Sequence, residues 1–82
     1  MPLYYVNRFD GIAVIDDVGI ELPDLDAARD HVRSVLTEMM NAERWTGGAA
    51  RCRADVRDAS GRPVLEASLI LTMSPEPRQM RP

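Results

Sequence analysis

One amphipathic helix stands in a chain whose other apolar segments all alternate like strands, and this constrains the fold more than any other feature. Leu25, Ala28, Val32, Val35, Leu36 and Met39 recur at three- and four-residue steps, the spacing that lines one side of an α-helix. Asp26, Arg29, Asp30, Arg33, Thr37 and Asn41 fall on the other side. Asp24, after Pro23, is a good N-cap, because its carboxylate can accept orphan N–H groups of the first turn. Asp26 adds negative charge at the positive end of the helix dipole. Thr46-Gly47-Gly48 ends the helix near Arg44-Trp45, which predicts ~30 Å of helix at 1.5 Å per residue. A lone helix covers one face of a sheet. At 82 residues a single domain buries only ~60% of its unfolded surface, so an uncovered second face is a liability.

The strands read as follows. Leu3 to Phe9 is rich in Tyr, Val and Phe and apolar on both sides, as an inner strand would be. Asp10-Gly11 supplies a hairpin turn. A second strand starts at Ile12–Ile15, is interrupted at Asp16-Asp17-Val18-Gly19, and resumes at Ile20-Glu21-Leu22. After the helix, Ala50, Cys52, Ala54 and Val56 alternate with Arg51, Arg53, Asp55 and Arg57. Asp58-Ala59-Ser60-Gly61 forms a turn. In the fourth strand, Val64 to Met73, residues Leu65, Ala67, Leu69, Leu71 and Met73 share the apolar side.

The expected fold is therefore α+β: a two-layer β-β-α-β-β domain over residues 1–73, with residues 74–82 as a disordered, proline-rich tail. Connection lengths put the first strand between the second and third. This gives a four-stranded antiparallel sheet of order 2-1-3-4 with one long helix on one face. Trp45 is expected to close the core at the helix C-terminus.

Composition removes several function classes. One cysteine and one histidine exclude a disulfide framework and leave too few ligands for a zinc site within one chain. No apolar run approaches the ~20 residues of a transmembrane helix, and Met1-Pro2-Leu3-Tyr4-Tyr5 lacks the basic flank of a signal peptide. A cytoplasmic protein without cofactor, metal or membrane partner is expected. All ten basic residues are arginine, yet 13 acidic residues leave a net charge of −3, an unfavourable balance for nucleic acid.

Several motifs carry a resemblance. Met1-Pro2-x-Tyr4-Tyr5, Asp10-Gly11 and Asp17-x-Gly19-x-Glu21-Leu22-Pro23-Asp24-Leu25-x-Ala27-Ala28-Arg29, followed by Val56-Arg57-Asp58 and Gly61, resemble a small bacterial family catalogued as domain of unknown function 6894. The likeness covers roughly residues 1 to 65. It implies an architecture and a bacterial origin, and no catalytic residues. Members often carry a histidine near position 7, where this chain has Asn7. Leu22-Pro23-Asp24-Leu25 is also similar to the element between hairpin and helix in HicB-type antitoxins, a fold-level analogy.

Three functional expectations follow. The first is a non-enzymatic interaction module that self-associates as a dimer and binds another protein. Tyr4, Val6, Val64 and Ile70 are predicted to share the face away from the helix, with Arg53 and Glu66 beside them and the fourth strand as a long open edge. The second is a regulatory or antitoxin-like protein that touches nucleic acid or a toxin partner. Arg51, Arg53 and Arg57 would meet phosphate there, with Tyr4 as a stacking ring. The third is a small enzyme using Asp16, Asp17 or His31, which requires a pocket that holds them. Asp10, Asp16, Asp17, Glu21 and Asp24 do not follow calcium-loop spacing and read as turn and capping residues. Cys52, on the apolar side of its strand, reads as a small buried hydrophobe.

Overall fold

The computed structural model describes residues 1–42 and 49–73, with Ala49 described by its backbone alone. The expectations for Trp45, for the glycine end of the helix and for the tail lie outside these residues. The elements are β1 (Leu3–Phe9), β2 (Ala13–Val14), β3 (Ile20–Glu21), α1 (Leu25–Ala42), β4 (Ala49–Asp58) and β5 (Pro63–Thr72). The fold is α+β, with one helix among the described residues and an antiparallel sheet of order β2-β1-β4-β5, in which β3 also pairs with β1.

The expected second strand is therefore two short ones. Arg8 pairs with Val14 and Tyr4 with Ile20, so a step of four residues on β1 is matched by six on the returning chain. The two extra residues sit in the loop between β2 and β3. An even insertion keeps the side-chain phase, so both pieces present the same faces to the sheet. A backbone bond from Leu22 N–H to the Pro2 carbonyl (3.0 Å) extends the β1–β3 pairing.

Helix α1 begins where the sequence places it. The Ala27 N–H donates to Asp24 Oδ1 at 2.9 Å, the side-chain bond expected of an N-cap. Ala28, Val32 and Leu36 are buried and pack with Tyr4, Val6, Cys52, Ala54 and Val56 into one core. The small residues of β4 let the helix approach closely. Their burial is complete at Cys52, Ala54 and Val56.

This core corrects the face assigned to the first strand. Tyr4 and Val6 are 8% and 7% exposed and belong to the helix side, not the outer face. Cross-strand partners project to the same side of a sheet, and Val6 is opposite Val56, which the helix covers. Val64 is corrected as well. The register shifts between Val56 and Arg57, which face Leu65 and Pro63, and the residue left over at this bulge, Val64, packs against the core. Ile70, Glu66 and Arg53 are on the outer face, as expected.

Candidate interaction surface

The outer face is built on a ladder between β1 and β4. Tyr5 is opposite Arg57, Asn7 opposite Asp55, and Phe9 opposite Arg53. The Arg53 guanidinium lies 4.3 Å from the centre of the Phe9 ring, and that of Arg57 lies 5.3 Å from the Tyr5 ring. Such cation–π contacts are worth ~0.5–1 kcal/mol at exposed sites. Between these stacked pairs Asn7, a buried polar residue, donates from Nδ2 to Asp55 Oδ1 at 3.0 Å. Its Oδ1 accepts the Asp16 N–H at 3.0 Å. Arg57 donates from Nη2 to the Asp16 carbonyl at 3.2 Å.

Asp16 fastens the loop between β2 and β3 onto the sheet. β1 pairs with β2 at Arg8 and Phe9 and with β3 at Leu3 and Tyr4, so the intervening residues lack a strand partner on that side. The Asp16 carboxylate fills this gap. Oδ2 accepts the Val6 N–H, and Oδ1 accepts those of Val18 and Gly19, each at 3.0 Å. Burial disfavours the charged carboxylate, but the three N–H donors and the nearby Arg57 charge outweigh it, and its pKa falls below the ordinary 3.8. Gly19 has φ +82°, and a Cβ there would lie 3.0 Å from Leu3 Cγ, so glycine is required for both its left-handed backbone and its size.

The three candidate acid–base groups do come together. Asp16, Asp17 and His31 line one open hollow of about 360 Å³ between the first hairpin and α1, with Arg8, Val14 and Ile15. Asp16 is already committed to three backbone donors there. The predicted phosphate row is brought onto one face, but Arg53 and Arg57 rest on their own rings, while Arg51 is exposed. Asp55 intervenes, and Glu66 stands directly opposite it on β5.

The two borders of the sheet differ. On one side β2 and β3 are two residues each, separated by a loop rich in aspartate. Short, interrupted, acidic edges resist pairing with another chain. On the other side β5 runs for ten residues, pairs with β4 alone, and carries one charged side chain, Glu66. Ile70 and Leu71 at its far end are 57% and 38% exposed, and Met73, just beyond it, 58%. The helix leaves this border uncovered: an open groove of about 430 Å³ lies between Val32, Arg33 and Leu36 of α1 and Leu65, Ala67 and Leu69 of β5. Sequence reasoning identified the open edge. It missed the Asn7–Asp16 connection, because the two residues are nine positions apart and their contact depends on register.

Comparison with known proteins adds a family whose function is unknown. Residues 3–70 match the family model described as Domain of unknown function (DUF6894). No curated protein and no solved structure matches the chain, so the likeness of Leu22–Leu25 to HicB-type antitoxins gains no support. No helix among the described residues is long and apolar enough to cross a membrane.

Proposed function

The chain belongs to the DUF6894 family, whose function is unknown, and we propose that it is a non-enzymatic interaction module that self-associates as a dimer through the β5 edge. The contrast between the two sheet borders carries this reading: one is short, broken and acidic, while the other is long, continuous and nearly uncharged. Antiparallel pairing of β5 with a second copy would supply partners for its outward N–H and C=O groups and cover Ile70 and Leu71.

A two-fold axis normal to the sheet keeps both helices on one side. Same-face pairing then requires the axis to pass through a residue rather than between two. An axis at Ser68 sets Glu66 opposite Ile70 of the second copy and Leu65 opposite Leu71, and it keeps the two Glu66 carboxylates apart. The groove beside α1 would then lie next to the same groove of the second copy. The non-enzymatic part of the reading draws support from Asp16, whose carboxylate already serves as an acceptor for backbone groups. The reading sets the protein in the cytoplasm, where a single buried cysteine is at home.

The test compares the native chain with Ile70→Asp and Leu71→Lys by sedimentation equilibrium. Both positions are exposed, so the variants should keep their fold, which circular dichroism checks. A native mass of two chains that falls to one in each variant is the expected result. A native chain that is monomeric at high concentration, or variants that remain dimeric, would remove the proposal.

A further inference from the structure

The first hairpin carries a second surface whose composition differs from that of the β5 edge. Ile12, Val14, Ile15 and Val18 are 74%, 44%, 61% and 79% exposed, a concentration of apolar surface within seven consecutive residues. Together with Leu25 they make five of the nine large hydrophobic side chains exposed among the described residues. Isolated exposed apolar residues are ordinary, but a group of them on one hairpin is a recognised mark of an interaction site. The charge within the segment itself has one sign, and Arg8 is the cation beside it in the hollow against α1. Residues 10–26 include six acidic side chains and no basic one, and Asp10, Asp17, Glu21, Asp24 and Asp26 are exposed.

We infer that this acid-rimmed apolar hairpin is a docking surface for a basic, apolar segment of a different protein. Complementary charge identifies the occupant: arginine or lysine side chains would meet the exposed carboxylates, and apolar side chains would cover Ile12, Ile15 and Val18. Polyanions such as nucleic acid are repelled by the same rim. Recognition falls to side chains rather than to strand addition, because β2 offers two residues before the loop held by Asp16 interrupts it. Val14, Ile15 and Asp17 also line the hollow beside α1. One long basic side chain could lay its stem there and its charge on Asp17. Arg8, in the same hollow, limits it to a single such cation.

This surface shares no residue with the β5 edge, so the two proposals fail separately. The experiment titrates the native chain with a short synthetic peptide of arginine and leucine, and with a counterpart in which glutamate replaces arginine, following backbone amide shifts at low and high salt. The expected result is binding of the arginine peptide alone, weakened by salt, with shifts grouped at residues 10–18. The double variant Ile15→Ser/Val18→Ser should bind about tenfold more weakly, equivalent to ~1.4 kcal/mol. Asp17→Asn should weaken binding and reduce its salt dependence. Absence of binding, equal binding of the glutamate peptide, or shifts that lie elsewhere and survive the double variant would overturn the inference. Unchanged shifts in β4 and β5 of the free variants verify that they are folded.

Discussion

At the residue scale, one carboxylate decides whether the first hairpin can be built. The Val6 N–H faces a gap between two strand pairings, and a buried donor left without an acceptor costs ~1–3 kcal/mol. Asp16 meets that donor and two others. Asn7 connects the loop to β4 through one acceptor and one donor, a complement that a neutral imidazole also offers. Asp16→Asn keeps one oxygen but turns an amide toward one of these N–H groups. It should lower stability by about 1–2 kcal/mol near neutral pH, measured by urea unfolding. The pH dependence has a definite sign. Since folding depresses the Asp16 pKa below 3.8, its contribution is complete above the unfolded value and disappears as pH falls through the folded value. Native stability should therefore decline below about pH 4, and the variant should lack that share of the decline. Equal stability of the two proteins at neutral pH would contradict this role. The helix cap at Asp24 was legible from its neighbours in sequence, whereas the partners of Asp16 were not, because they are set by strand register.

At the scale of elements, the helix and the β4–β5 pair followed directly from periodicity. The phase of β1 did not. Leu3, Tyr5 and Phe9 compete with Tyr4 and Val6 as an apolar set, and alternation alone cannot choose between them. The choice is made across the sheet, where Val6 meets Val56 while Tyr5 and Phe9 receive Arg57 and Arg53. The outer face is thus aromatic and arginine-rich where Tyr4 and Val6 had been expected. On β5, Glu66 lies opposite Asp55, and like charges in directly opposed positions are unfavourable. Glu66 is also the one charge that guards this edge. Glu66→Gln should raise the stability of the fold by about 0.3–0.5 kcal/mol, less at high salt, and should strengthen self-association. A loss of stability, or weaker association, would show that the carboxylate has a favourable partner instead.

At the scale of the whole molecule, a small chain with one helix has a shortage of covering material. The helix buries the centre of the sheet through Ala28, Val32 and Leu36, and the outer face is closed in part by stacked arginines. What remains open is the β5 border and the first hairpin, two surfaces of different charge on opposite sides of the sheet. The sequence pattern predicted an open fourth strand. It also placed the interruption of the opposite border at Asp16–Gly19, but it could not reveal the two-residue insertion that keeps both short strands in phase, nor how the loop is fastened to β1. Hydrogen exchange of the β5 amides, followed from dilute to concentrated protein, tests the central claim most directly. In an isolated chain the amides of Pro63–Thr72 that do not bond to β4 exchange freely. The expected result is that they gain protection as concentration rises, together and with the same midpoint as the change in mass, while the β2 amides do not. Protection that is independent of concentration along the whole of β5 would contradict pairing through this edge.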